Sequence, residues 1–281
     1  MNLITTVAEM VAARDALPRP LGLVPTMGYL HEGHMTLARW AKRDCRSVVA
    51  SIFVNPTQFG PGEDFTAYPR DMERDLSMLR KEGVDVVFAP TVGEMYPQGF
   101  STYVNVEKLT EVLEGARRPG HFRGVATVVT KLFTVVRPDR SYFGQKDGQQ
   151  VAVIKRMTAD LALGTDIVVV PTVREADGLA MSSRNVYLTP AERAVAPVLY
   201  RAMCRARDMH RDGTRDARAL RAEMERMINA EPLGKLDYIS IADAETLQEL
   251  ETVDRPAMIS LACRFGRARL IDNIIIGIGQ G

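Results

Sequence analysis

From Leu21 to Pro171, short β-branched runs alternate with segments of helical spacing, the pattern expected of βα units built around a parallel sheet. The expected strands are Leu21–Pro25, Ser47–Val54, Val84–Ala89, Arg140–Gly144 and Asp166–Val170, and most of them are nearly continuous apolar runs rather than alternating ones. An alternating strand has one wet face, whereas a continuous one is covered on both, so helices should pack on either side of this sheet. The helical segments between them are Gly33–Arg43, Arg70–Glu82, Arg123–Val136 and Gly148–Leu163. In the second, Met72, Leu76 and Leu79 fall on one face, and Gly83 supplies the stop.

After Thr172 the pattern changes. Thr189-Pro190 opens a long helix to about Arg211, Gly213 breaks it, and a second, antiparallel helix follows over about Asp216–Ala230. Strands are expected at Leu236–Ala242, Ala257–Phe265 and Ala268–Ile276, the last two joined by the tight Gly266-Arg267 turn. The reading is therefore an α/β domain over residues 1–172 and a smaller α+β domain over 173–281, without internal repeats. The glycine-rich end, Gly277-Ile-Gly-Gln-Gly281, imitates a dinucleotide loop but has no helix after it, and reads as a tail.

Composition narrows the class. A chain of 281 residues, 46% hydrophobic and 25% charged, has enough apolar surface for a packed core and excludes wholesale disorder. Thirty-six Lys and Arg against 35 Asp and Glu leave a net charge of +1, so no long-range field draws the chain to nucleic acid or an anionic membrane, and any anion must be caught locally. Three widely spaced cysteines, Cys45, Cys204 and Cys263, fit free thiols in a reducing compartment. Glu9, Arg14 and Asp15 interrupt the first 20 residues, and no stretch of about 18 apolar residues occurs, so the expectation is a cytoplasmic protein with no membrane partner.

Five segments carry candidate chemistry, four of them placed near the end of a strand or at the domain junction. Pro25-Thr-Met-Gly-Tyr-Leu-His-Glu-Gly-His34 follows the first strong strand and opens a helix. Its glycines let backbone N–H groups approach an anion, and His31 and His34, two of only four histidines, are spaced to face one site. His34-Met35 stand where a Walker loop needs Lys and Ser/Thr. In Phe53-Val-Asn-Pro-Thr-Gln-Phe59, Asn55 and Gln58 offer amides to an uncharged or hydroxylated substrate at the carboxyl end of the next strand, with Pro56 fixing the turn. In Tyr142-Phe-Gly-Gln-Lys-Asp-Gly-Gln-Gln150, Lys146 can follow a phosphoryl group, and Asp147 either caps a helix or binds a ribose hydroxyl. In Arg174-Glu-Ala-Asp-Gly-Leu-Ala-Met-Ser-Ser-Arg-Asn185, the trio Ser182, Ser183 and Arg184 is either a donor set for polyphosphate or a polar linker. His121-Phe-Arg-Gly-Val125 opens a further helix, and its Arg123 either attracts a carboxylate or completes a surface ion pair.

In order, Pro25–His34, Val54–Phe59, His121–Val125, Phe143–Gln150 and Val173–Asn185 closely resemble the pantothenate synthetase (pantoate–beta-alanine ligase) family, adenylate-forming nucleotidyltransferases with a His-Ile-Gly-His signature. Here the tetrad reads His31-Glu-Gly-His34, with Glu32 replacing Ile. The resemblance spans essentially the whole chain. It implies a Rossmann-like first domain holding ATP and pantoate, a C-terminal domain acting as a lid, Mg2+ bound through the ATP phosphates with no protein metal site, and a homodimer. It also implies roles: Met27, Gly28, Tyr29, Leu30, His31, Glu32, Gly33 and His34 would line ATP, with His34, His31 and Lys146 catalytic. Gly144, Gln145, Lys146 and Asp147 would meet ribose and phosphate, Val173 would meet adenine, and Met181 to Arg184 would close over the nucleotide. Gln58 and Gln150 would hold pantoate with Arg123 nearby, Asn55 would stand nearer the phosphates, and Tyr68 would be part of a mobile cavity wall. Gln145 and Gly148 depart from the pattern, in which Glu and an aromatic residue are frequent, a difference that bears on pocket rigidity.

The implied reaction is a two-step ligation: pantoate carboxylate attacks the α-phosphorus of ATP and expels pyrophosphate, and the β-alanine amine then attacks the pantoyl adenylate to release AMP. Two other readings of the same residues are a nucleotidyltransferase acting on a phosphorylated small molecule and a module that senses ATP without consuming it. The first lacks an extra basic cluster near Asn55–Gln58, and the second has no use for the amide pair Gln58/Gln150.

Overall fold

The structure, a computed structural model, describes residues 1–277. Apart from Gly277, the glycine-rich end noted above lies outside the described residues. The chain divides into two compact units, residues 1–144 with 150–170, and residues 145–149 with those from Pro171 onward.

The first unit runs β1 (Asn2–Ile4), α1 (Val7–Arg14), β2 (Leu21–Thr26), α2 (Glu32–Asp44), β3 (Ser47–Ile52), α3 (Met72–Lys81), β4 (Val86–Phe88), the short α4 (Val92–Met95) and α5 (Leu113–Arg117), α6 (His121–Val136), β5 (Arg140–Gly144), α7 (Gly148–Asp160) from Gln150 onward and β6 (Asp166–Val170). All six strands are parallel, in the order β1-β4-β3-β2-β5-β6. All six residues of β3 are buried, as its nearly continuous apolar run requires. Val24, Val48, Ala50, Ile52 and Tyr142 pack with Leu30, Met35, Ala38 and Leu79 against α2 and α3. Phe143, on the opposite face of β5 from Tyr142, meets Phe133 of α6 with ring centroids 6.5 Å apart. Helices therefore cover both faces, the α/β class expected.

All five expected strands are present. The runs Ser47–Val54 and Val84–Ala89 shorten to Ser47–Ile52 and Val86–Phe88, since apolar character continues past the last ladder bond. β1 and α1 were not anticipated, since a three-residue strand carries no readable period. In α3, Asp75 and Leu79 are buried and Leu76 packs against the same core, while Met72 is 41% exposed, so of the expected Met72–Leu76–Leu79 stripe only Met72 lies off the buried face. The chain visits β3 and β4 on one side of β2, then crosses to β5 and β6 on the other. That reversal lies between β2 and β5, and ligands of open α/β sheets bind outside the carboxyl ends at such a point.

The second unit contains α8 (Pro190–Val195), α9 (Val198–Arg211), α10 (Ala217–Asn229) and the antiparallel sheet β7 (Gly234–Asp243), β8 (Ala257–Phe265) and β9 (Ala268–Ile276). Leu199, Ala202, Met203 and Ala206 of α9 share a core with Leu220, Met224 and Ile228 of α10 and with Ile259 and Leu261 of β8. The single long helix expected over 190–211 is two, because Pro197 donates no backbone hydrogen bond and becomes the cap of α9. β8 and β9 are joined by the two-residue Gly266-Arg267 connection, with Phe265 paired to Ala268.

Candidate active site

The glycine-rich bend after β2 is held from beneath by a buried carboxylate. Gly28 takes a left-handed φ of 84°, and a Cβ there would stand 3.1 Å from both Asp75 Oδ2 and Ile52 Cγ2, which explains the glycine. Tyr29 and Leu30 donate their backbone N–H groups to Asp75 at 2.7 and 2.8 Å. Asp75 is 1% exposed, and burial pushes its carboxyl upward, opposed by these two N–H groups.

The next residues start α2 with an unusual capping box. His31 is the N-cap: its Nδ1 accepts from Gly33 N–H at 3.2 Å, while His34 Nδ1 accepts from His31 N–H at 3.3 Å. The imidazoles occupy the roles that Ser/Thr and Glu usually fill, and their centroids lie 4.1 Å apart. A ring nitrogen that accepts carries no proton, so each ring bears its hydrogen on Nε2. The bend thus presents two Nε2–H donors beside a helix N-terminus, a suitable surface for a phosphate. A Cβ on Gly33 would stand 2.9 Å from the His31 ring, so any larger residue there would push the ring out of its cap position. Glu32 bonds to Arg39, which holds its carboxyl below the usual range and turns the replacement of Ile away from the histidines.

A tight single-turn helix, Pro56–Gln58, follows β3 and is tied together by Asn55, 1% exposed. Asn55 Nδ2 donates to Gln58 Oε1 at 3.0 Å and to the Gly124 carbonyl at 3.1 Å. Its Oδ1 accepts from Thr57 Oγ1 at 2.9 Å and Tyr96 OH at 2.7 Å. Asn55 therefore orders the loop, and a ligand would have to replace one of these bonds. Gln58 Nε2 donates to Met27 Sδ at 3.2 Å, a weak acceptor that an oxygen-bearing substrate can displace. The Gln58 carbonyl accepts from His121 Nδ1 at 2.7 Å, and Arg118 reaches His121 Nε2 at 3.0 Å while forking onto Glu63 at 2.7 Å on both arms. Tyr68 is buried, edge-on to Phe59 at 6.0 Å. Arg123 is exposed with its guanidinium 3.9 Å above the Tyr103 ring, and Gln150 is half-buried in the first turn of α7.

In the second unit, Asn273 of β9 braces the lysine segment. Its Nδ2 donates to the carbonyls of Gln145 and Lys146 at 2.9 and 2.8 Å, and its Oδ1 accepts from Gln145 Nε2 at 2.8 Å. Lys146 Nζ lies 3.4 Å from Asp147 Oδ1. A Cβ on Gly148 would fall 2.6 Å from Met258 Sδ and 3.0 Å from Asn273 Oδ1, so the space an aromatic residue would claim is filled by these two. Arg174 forks onto buried Asp272 at 2.6 and 3.0 Å, and Met181 N–H bonds the Val173 carbonyl at 3.0 Å, closing a small hairpin. Ser182 caps the turn Ser183–Tyr187 by accepting from Arg184 N–H at 3.3 Å.

Asp75, Tyr96, Arg118, His121 and Asn273 all hold candidate residues in place, and none of them belongs to a motif that announces this role. Only His121, quoted as a helix start, carried any signal. Among the described residues no cluster of three His, Cys, Asp or Glu side chains suits a metal ion, and no helix is long and apolar enough to cross a membrane.

Comparison with known proteins bears on this arrangement. Pantothenate synthetase of Roseiflexus sp. (strain RS-1) is 59% identical over 276 residues, 98% of this chain and 99% of that one. A crystal structure of pantothenate synthetase from Thermus thermophilus superposes with a TM-score of 0.93 at 53% identity, covering 98% of this chain and 99% of that one. Pantoate-beta-alanine ligase from Francisella tularensis, complexed with beta-gamma ATP and beta-alanine, gives 0.82 at 35% identity over the whole of both chains. The family profile described as Pantoate-beta-alanine ligase matches residues 2–275, and with relatives of this identity along its length the chain belongs to the pantoate–beta-alanine ligase family.

Proposed function

We propose that this chain joins pantoate to β-alanine through a pantoyl adenylate, with His31, His34 and Lys146 stabilising the charge that moves between the phosphates. The observation that carries this reading is the bend after β2. Its backbone is fixed by Asp75, its imidazoles each offer Nε2–H, and the amide-rich loop of Asn55 and Gln58 follows the neighbouring strand. A carboxylate and a triphosphate repel one another, so a catalyst of this step must supply fixed donors and in-line alignment, and needs no nucleophile of its own. Mg2+ would arrive on the ATP phosphates and neutralise part of their charge.

In this reading Met27 to His34, Asn55, Gly144 to Asp147, Val173 and Met181 to Arg184 serve the nucleotide, and Gln58, Gln150, Arg123 and Tyr68 serve the acid and amine. Residues 1–172 would act as the ATP and pantoate domain, residues 173–281 as a lid, and the working form would be a cytoplasmic homodimer. The ATP and beta-alanine named in the Francisella structure support the substrate assignment.

The test is to combine purified protein with Mg-ATP, pantoate and β-alanine, and to omit each in turn while measuring AMP. Pantoate alone should support exchange of labelled pyrophosphate into ATP. Exchange that requires β-alanine would overturn the stepwise scheme, and ATP binding without AMP production would favour the sensing module.

A further inference from the structure

The pair Arg118 and His121 lies outside the residues that any step above uses, yet it grips the backbone of Gln58. Chemistry fixes the direction of every bond. A carbonyl only accepts, so His121 Nδ1 donates to Gln58 O at 2.7 Å, and a guanidinium only donates, so His121 Nε2 accepts from Arg118 Nη1 at 3.0 Å. The ring is therefore a neutral Nδ1–H tautomer, read from two independent partners. Arg118 itself is anchored bidentately on Glu63, in the segment that continues from Gln58 toward Tyr68. Chain geometry makes the grip local: Gly124, one turn along α6, approaches so closely that a Cβ would stand 2.3 Å from the Thr57 carbonyl.

We infer that His121, locked by Arg118 and Glu63, is a positioning residue for pantoate: it sets the height and tilt of the Gln58 amide by holding that residue's carbonyl. The inference rests on Gln58 being a pantoate contact, as proposed above. A second consequence follows from the same bonds. A proton added at Nε2 would turn toward Arg118 and abolish the bond that orients the ring, so the relay works only while His121 is neutral. Its surroundings favour that state: burial first, then Arg118, hold its pKa down to about 4, with Glu63 and Glu114 opposing.

Three variants at one position separate donation from packing. In His121→Asn the amide nitrogen stands near the place of Nδ1 and can still donate to Gln58 O. In His121→Gln the amide lies near the place of Nε2 and reaches Arg118 instead, and His121→Ala does neither. The expected result is a KM for pantoate raised on the order of tenfold to a hundredfold in His121→Ala and His121→Gln, with the KM for ATP within about twofold, and restoration to within about threefold in His121→Asn. Equal changes in both KM values, or no advantage of Asn over Gln, would overturn it, and if His121→Ala does not fold the Asn–Gln comparison still decides. Gln58→Leu is the control for the underlying reading. An unchanged pantoate KM there removes pantoate from Gln58, whereas a raised KM there with normal values in the His121 variants removes only the positioning role.

Discussion

Asp75 Oδ1 accepts the backbone N–H of Leu30 at 2.8 Å, joining α3 to the bend that carries both site histidines, although the two residues stand 45 positions apart. Its other oxygen takes the N–H of Tyr29 at 2.7 Å. The bend proposed to receive the phosphates is thus shaped by a carboxylate that need not touch them.

Asp75→Ala should uncouple that bend. The buried N–H of Leu30 and the half-buried N–H of Tyr29 lose their acceptor, at up to about 1–3 kcal/mol each before water relieves them. The expected outcome is a lower melting temperature together with a raised KM for ATP. A variant melting like the parent and binding ATP normally would show that the bend holds its shape without the carboxylate.

His34→Ala and Lys146→Ala should leave folded proteins whose rate falls by roughly 10²–10³, the usual effect of losing one donor aimed at developing charge. His34 also closes the α2 capping box, so its variant should lose a further ~1 kcal/mol of stability that Lys146→Ala keeps. Pyrophosphate exchange and denaturant unfolding measure the two effects separately, and near-normal exchange in either variant would strike that residue from the mechanism.

Gly124→Ala adds one methyl group where the Thr57 carbonyl stands 2.3 Å away, a backbone atom that cannot swing aside. Overpacking of this kind costs about 1–3 kcal/mol, and relief can come only by moving α6 from the Pro56–Gln58 turn. Stability and pantoate affinity should fall together. Retention of both would mean the turn has room that the structure denies it.

Acid should weaken the protein through His121. With a folded pKa of about 4 against an ordinary value of 6.5, the unfolded chain binds the proton more readily. The contribution is complete above pH 6.5 and is lost as pH falls toward 4. Arg118, Glu63 and Glu114 face the same ring, so the comparison is between the parent and His121→Asn, in which the carboxylates are retained. Denaturant midpoints compared from neutral pH down to the folded pKa should fall more steeply in the parent. Parallel slopes would show that His121 protonates at no cost to the fold.

The parallel sheet was legible because burial on both faces demands strands such as Ser47–Ile52, and no charged residue interrupts that run. The glycine-rich bend was legible for a similar reason: Gly28 and Gly33 answer local constraints, a positive φ and a histidine ring at 2.9 Å, that only glycine meets. The split between α8 and α9 needed attention to one residue, Pro197, whose missing N–H outweighed an otherwise helical run. By contrast, the exposure of Met72 depends on which face of α3 meets α2, and helical spacing alone does not orient a helix.

By itself, then, the sequence determined most of the elements, their layering and the segments proposed to carry chemistry, since hydrophobic period, glycine and proline act over a few residues. Only the tertiary structure decided which groups hold those segments still. Asp75 reaches Leu30, His121 reaches the Gln58 carbonyl and Asn273 reaches the Lys146 carbonyl across 45, 63 and 127 positions of chain. Such bonds go to backbone atoms, which every residue possesses, so no side-chain pattern at the receiving end announces them.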